Sequence, residues 1–581
     1  MQLSHTRPVT AAAFDDRNLL ASAGLVPALG LAHRCGLEAL ADEYVSVPTD
    51  KGAHPGRKVS SLVAGMVAGA DSIDDMALLR HGAMPTVFDR PYAPSTLGSF
   101  LRSFTFGHVR QLDAVAARFL QGLAERTPLI GGSEVGGRVL LDLDDTIVPV
   151  HGHAKQGSGY GYTGIRGLNA LIATATTDGR APVIVGQRLR RGGCGSPRGA
   201  SRMVSDALAT LGRIRPQVSP GSVLVRADSA FYGHPTVSAA LRGGADVSVT
   251  VRMTATVKAA IAAIDDDAWT PIEYTDAVYD EQAGRWISRA EVAEIDFTAF
   301  TRLASERTPG RLVVRRIPDL REHTDGQGTL FDAWRFHAFF TTTDPAVLDT
   351  VAADKIHRGH AIIEQVHADL KNSALAHLPS GRFAANSAWL VLAVMAFNLT
   401  RAAATLTGAR LVRATTATIR RTLISVPARI ASSARRLTCT YRGAGPGKPN
   451  GTNSSPTPGI EDPRSPNPPG HPRPRPERPS GTTRHIGRAI THTPDSPSTA
   501  ATEPVSRPAP IGGSRLSETL IDPSRYRGNP GRTQARKRFA AIGSPSLPSA
   551  KRPKTAMCDR ADPSRYRAPR RKPALRGTSP C

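Results

Sequence analysis

Residues 139–150 read VLLDLDDTIVPV. Apolar, β-branched residues flank a group of acids, and the run has the length of a buried strand. Side chains alternate along a strand, so Asp142 and Asp144 share one face and Asp145 takes the other. Like carboxylates side by side each resist ionising beside the other. Two readings fit the stretch alone. One is a divalent metal held by oxygen ligands, for which Mg2+ or Mn2+ is the chemical match; the other is an exposed strand end with solvated acids.

Further β runs follow at ALIATATT, APVIVGQRL, SVLVRADS and ADVSVTVRM, with helical patterns between them in SRMVSDALATLGRI and HPTVSAALRGG. Strands alternating with helices predict an α/β sheet with covered faces, in which reactive groups collect at strand ends. SVLVRADSAFYG delivers Asp228 where its apolar run stops. By itself an acid there reads equally as a turn former or helix cap.

Before this region, residues 1–130 have helical periodicity in AGLVPALGLAHRCGLEAL, KVSSLVAGMVAGADSIDDMALL and FTFGHVRQLDAVAARFLQGLAE. They read as a helical N-terminal domain, either DNA-binding or a simple packing unit. After it, residues 266–345 contain β pieces carrying Trp269, Trp286 and Trp334, which fit a β-rich insertion with an aromatic core. Helical text returns in DKIHRGHAIIEQVHADLKNSALAHL. There Glu364 and Lys371 lie two turns apart on one face, with His360 a turn before Glu364 and Arg358 beside it. Such a face offers a metal ligand together with phosphate contacts, or is an ordinary charged solvent face. Beyond it SAWLVLAVMAFNLTRAA has the look of a buried core helix, and RATTATIRRTLISVPARIASSARR that of a basic terminal helical piece.

The 581 residues are 40% hydrophobic, with a formal net charge of +25. That leaves room for several domains and implies a polyanionic partner, nucleic acid first. Five scattered cysteines without CxxC spacing argue against a disulfide framework or a zinc site, and fit a reducing, cytoplasmic setting. No leader pattern opens the chain, and the apolar run 388–397 is too short to span a bilayer, so no membrane partner is expected.

Composition changes near residue 440. From Tyr441 on the chain holds 26 of its 46 prolines and 26 Lys plus Arg against 9 Asp plus Glu, so this stretch carries about +17 of the +25. DPSRYR occurs at 522 and again at 562. Such text cannot bury a core and is expected to be disordered over 439–581. It reads either as appended translated DNA, through a frameshift or lost stop, or as a basic arm for DNA.

Three separated acids now stand in order: Asp144 in LDLDDT, Asp228 in RADSAFYG and Glu364 in HAIIEQVHADLK. With SLVAGMVAGADSIDDMALLRHG, YAPSTLGSFLRSFTFGHVRQLDA, GYTGIRGLNALIAT and LPSGRFAANSAWLVLAVMAFNLTRAA, roughly residues 10–438 resemble the DDE transposases of bacterial insertion sequences, most closely the insertion sequence 1380 family. The resemblance implies an α/β ribonuclease-H-like catalytic core (131–265), the β-rich insertion (266–345) and a helical end of the core (346–438). It implies that Asp144, Asp228 and Glu364 bind two divalent ions, Mg2+ or Mn2+, for DNA strand cleavage and strand transfer. Asp142 is the fallback for the first acid. Relatives carry a Tyr, Arg, Glu, Lys pattern around the last acid; here His357 and His360 replace the first two, and Arg358, His360 and Lys371 are the expected DNA contacts. The implied partners are double-stranded DNA, as terminal inverted repeats and target, and a second protomer. The alternative is a catalytically inactive DNA-binding remnant.

Overall fold

The computed structural model describes residues 16–441 except 49, 89–90, 132–136, 153, 217–220, 281–284, 319–333 and 434–435. The disorder expected over 439–581 therefore falls, from 442 on, outside the described residues. All described residues lie in the first of the two units into which the chain divides, Met1–Pro469.

The chain begins with a short strand, β1 (Leu19–Leu20), followed by the helices α1 (Leu25–Arg34), α2 (Leu37–Tyr44), α3 (Pro55–Ala68), α4 (Met84–Val87), α5 (Pro94–Arg102) and α6 (Phe106–Arg126). Their ends follow from local chemistry. Pro55 opens α3 with its φ already helical, and Gly69 closes it at φ +119°, where a Cβ is strained. Thr105 and His108 form a reciprocal capping box at the start of α6.

Next comes the main sheet. β2 (Val139–Pro149), β3 (Gly159–Tyr160), β4 (Arg166–Thr176) and β5 (Val183–Arg191) are followed by α7 (Ala200–Ile214), β6 (Val223–Ala227), α8 (His234–Arg242), β7 (Asp246–Thr250) and α9 (Ala255–Ala262). β2, β4 and β5 form an antiparallel meander, whereas β6 and β7 run parallel to β2 through the crossover helices α7 and α8. The core order is thus β5, β4, β2, β6, β7, with β2 central. Central strands are buried on both faces, which is why the acids of β2 are embedded in apolar text.

β8 (Thr270–Asp280), β9 (Arg285–Ala299), β10 (Thr308–Pro318) and β11 (Trp334–Thr341) are antiparallel neighbours. β11 pairs with β7, Phe340 opposite Val249, so this block continues the main sheet. Then α10 (Thr350–Arg358), α11 (Ile362–Lys371) and α12 (Phe383–Leu406) follow.

α12 is buried from Ala385 to Ala404 and packs on α1, α3, α5, α6 and β5. A helix apolar all round belongs inside a fold or a membrane. By length and composition this helix is long enough to cross a bilayer, which corrects the expectation drawn from the run 388–397 alone; 89% of its most apolar window is buried within the fold. Two of its buried polar residues, Asn398 and Arg401, tie it to neighbouring elements. Asn398 accepts from the Ile184 N–H at 2.9 Å and donates to the Ile184 carbonyl at 2.8 Å, closing the open edge of β5. Arg401 pairs with Asp369 of α11.

After α13 (Ala409–Val412) and α14 (Thr416–Ile419) comes a wide helical turn, Arg420–Ile424. The fully helical terminal piece expected here is corrected: Pro427 cannot donate to a helix and forces its predecessor to be extended. The chain instead forms β12 (Ala428–Ser433) and β13 (Arg436–Tyr441), with β12 paired to β1.

Candidate active site

Parallel register puts Asp142 of β2 beside Arg226 of β6. Arg226 holds both Asp142 oxygens, each at 2.7 Å, and both side chains are fully enclosed. The His360 Nδ1 lies 2.9 Å from the Asp142 Oδ1. Arg226 also donates to the carbonyls of Ile356 and Gly359, fastening the sheet to the junction of α10 and α11. Gly359 is needed there, because a Cβ would meet the Arg226 Nη1 at 2.9 Å.

Asp145, on the opposite face, is just as occupied. It accepts from Arg190 of β5 and Asn169 of β4, and the Arg190 Nε donates to the Asn169 Oδ1 at 2.9 Å. Two of the three acids of the opening stretch are therefore neutralised by guanidinium groups, not by a metal.

Asp144 has neither arrangement. Its Oδ1 accepts the Asp145 N–H at 2.7 Å, and its Oδ2 lies 3.5 Å from the His367 Nδ1. Burial pushes its carboxyl up to about 7; Asp228 adds to the rise, while His360 and the Asp145 N–H oppose it. Asp228 stands just past β6 and caps the turn Ser229–Phe231, accepting the Ala230 N–H at 3.0 Å. Burial raises its carboxyl too, against the Ala230 N–H and His360. The cap reading of Asp228 and its placement near Asp144 both hold in one geometry.

α11 lies against β2. Ile363, Val366 and Leu370 bury one face, and Asp369 anchors it through Arg401 and the Thr416 N–H and hydroxyl, at 3.1 and 3.2 Å. This leaves His360, Glu364, His367 and Lys371 at successive turns along another face. Burial lowers the Lys371 amine while Asp144 draws it back up, so the amine lies in the field of that acid. Glu364 is exposed. Among the described residues no three His, Cys, Asp or Glu side chains close into a group able to hold a metal.

Of the expected phosphate contacts, His360 is engaged with Asp142, and Arg358 pairs with Asp354 at 2.8 Å. His357 stacks on Phe339 with centroids 4.0 Å apart, its two nitrogens 2.8 and 3.0 Å from the Ser248 and Thr250 hydroxyls. Burial, then His360, Arg226 and Arg315, keep it neutral.

Sequence reading overlooked three residues. Arg226 was visible two places before Asp228, and His367 three places after Glu364 and four before Lys371. His367 is buried and held neutral near 3 by burial, with Lys371 and His360 adding; its Nε2 is buried without a partner. Arg190 had no local signal, since its partner Asp145 lies 45 residues away.

A family model described as transposase DDE domain, group 1, matches residues 2–447. No curated protein matches. Among solved structures, a chain in the cryo-EM structure of a piggyBac transposase synaptic complex with hairpin DNA is similar at 8% identity. The match covers 69% of this chain and 80% of that one, with a TM-score of 0.36.

Proposed function

The chain belongs to the group 1 family of transposase DDE domains, and on that premise we propose that it cleaves DNA strands at the ends of an insertion sequence and joins them to target DNA. One observation carries this reading to particular residues. Asp144 and Asp228 are neighbouring acids at the centre of the sheet, raised by burial, whereas Asp142 and Asp145 each have a guanidinium partner. Uncompensated carboxylates in a partly dry site fit a hard divalent cation in their donor chemistry.

Asp144, Asp228 and Glu364 are the proposed ligands for Mg2+ or Mn2+. When bound, such ions activate the attacking hydroxyl and stabilise the leaving oxygen of a phosphodiester. The chain's own groups do the rest. Neutral His367 lies beside Asp144 and limits its orientation, Lys371 offers a cation to a phosphate in the same field, and Arg226 fixes the strand of Asp228 against the junction of α10 and α11. Arg358 and His360 are proposed to support DNA binding through this junction.

The strand order supports a ribonuclease-H-like core, a three-strand meander followed by two parallel strands through helices. The proposal extends to a bacterial element of the insertion sequence 1380 kind, terminal inverted repeats and target DNA as substrates, a homodimer joining two ends, and a cytoplasmic location on the nucleoid.

A second reading is an inactive remnant that only binds DNA; in its favour, no three His, Cys, Asp or Glu side chains among the described residues form a group able to hold a metal. Incubating the protein with the element's own end sequences and Mg2+ or Mn2+, alongside Asp228→Ala, separates the two. Cleavage by the wild type and none by the variant is expected; equal product from both sinks the catalytic reading.

A further inference from the structure

Between β2 and β4 the chain forms a small hairpin, GYGYTGIRG at 159–167. Its base is pinned. Gly159 pairs with Gly167 and Tyr160 with Arg166, while Arg166 donates to the Gly152 carbonyl at 2.6 Å and the Ser158 hydroxyl at 2.9 Å. Behind it, the Gly192 N–H donates to the Gly157 carbonyl at 2.9 Å. A Cβ on Gly161 would come within 3.0 Å of Ile147 and 3.1 Å of the Gly192 carbonyl, so the hairpin sits tightly on β2. Gly164 turns the tip at φ +68° with open space around it.

The tip itself is bare. Tyr160 is 70% exposed, Tyr162 77% and Ile165 49%. Large apolar side chains held out together at a hairpin tip mark a contact surface. Ile147 lies three residues, about 10 Å of strand, beyond Asp144. The Tyr162 hydroxyl is raised by partial burial and then by Asp145, Asp144 and Asp228, which sets it in the field of the candidate site. The ring itself is uncharged, and its π face suits the base of a nucleotide. The segment 151–167 contains Lys155 and Arg166 and no acid, which suits the flanking backbone.

Resting on the proposed DNA-cleaving function, we infer that Tyr160 and Tyr162 stack on a nucleobase beside the scissile phosphodiester and hold it out of the duplex. They are positioning residues: sequence-tolerant π-stacking from a hairpin whose base is held by Arg166 and Gly192.

The test places 2-aminopurine at successive positions along the element end and follows its fluorescence on binding in EDTA, where no cleavage intervenes. One position is expected to brighten with wild-type protein. Tyr162→Ala should abolish the signal, Tyr160→Ala should weaken it, and Tyr162→Phe should restore it, because the ring and not the hydroxyl is used. Both alanine variants should melt with the wild type, since the side chains are exposed. In cleavage assays Tyr162→Ala should be at least about 5-fold slower on paired DNA, and close to wild type on DNA already mismatched at that position. No brightening at any position, or a signal that survives both alanine substitutions, overturns the inference. Wild-type brightening without cleavage in Mg2+ or Mn2+ instead overturns the catalytic reading and leaves the stacking intact.

Discussion

Arg226 and Asp142 face each other across neighbouring parallel strands, joined by two bonds of 2.7 Å with neither side chain reaching solvent. Removing one partner strands a buried charge, which costs about 3–5 kcal/mol. Arg226→Met is therefore expected to lose that much stability by urea denaturation. Adding Asp142→Asn should return a substantial part, because the orphaned charge is gone; a double variant no more stable than Arg226→Met would show that the pair's charge is not what matters.

Asp144 gives stability a defined dependence on pH. Its carboxyl is raised to about 7 in the fold, from an ordinary value near 3.9. The neutral form is the one the fold favours, so its contribution is complete below the unfolded value and is lost as pH rises through about 7. Without metal, Asp144→Asn should match the wild type near pH 3.5. It should then gain on the wild type up to pH 7, by at most roughly 1.4 kcal/mol per pH unit, and keep a constant lead above. Thermal melts across pH 4–9 in EDTA check this; a lead that shrinks with rising pH contradicts it.

The same carboxyl couples metal to protons. A ligand that must lose its proton binds a cation more tightly as pH rises, so Mn2+ affinity measured by calorimetry should increase up to about pH 7 and then level off. Asp228→Asn should weaken binding at every pH. Affinity that is flat from pH 5 to 8 would remove Asp144 from the ligand set.

Glu364 offers the cleanest separation of function from folding. It is exposed and lies off the Ile363, Val366 and Leu370 face that packs α11, so Glu364→Gln should change stability by less than about 0.5 kcal/mol. Cleavage should nevertheless fall by at least two orders of magnitude if it completes the metal site. Retained cleavage with an unchanged melt would exclude it.

Deleting residues 442–581 tests the two readings of the basic stretch. If it is appended text, cleavage at element ends is unchanged. If it is a DNA arm, nonspecific affinity drops and its salt dependence flattens, because phosphate contacts are lost.

Much of the architecture was legible because β-branched runs and helical periodicity are local properties. The runs quoted for β2, β5, β6 and β7, and the patterns for α7 and α8, fall on the observed elements within a few residues. Alternation also placed Asp145 on the opposite face from Asp142 and Asp144. What alternation cannot supply is the partner on the next strand. Arg226 lies 84 residues from Asp142, and only the parallel register makes them neighbours, so the stretch alone is compatible with a metal or with solvent where a guanidinium stands. The β12–β13 hairpin was missed for a different reason: helical periodicity in TATIRRTLI was carried past Pro427. The bare tyrosines lay in a Gly-rich stretch whose turns depend on contacts with β2.

The buried post formed by α12 has a consequence for how the protein is made. α1, α3, α5 and α6 all pack against it, yet 280 residues separate the end of α6 at Arg126 from the end of α12 at Leu406. At ribosomal speeds of about 5–20 residues per second, the nascent helices wait roughly 15–60 s with the surface meant for α12 open to water. Yield in a cell is then governed by what shields that surface during synthesis, and slowing translation should favour aggregation over assembly.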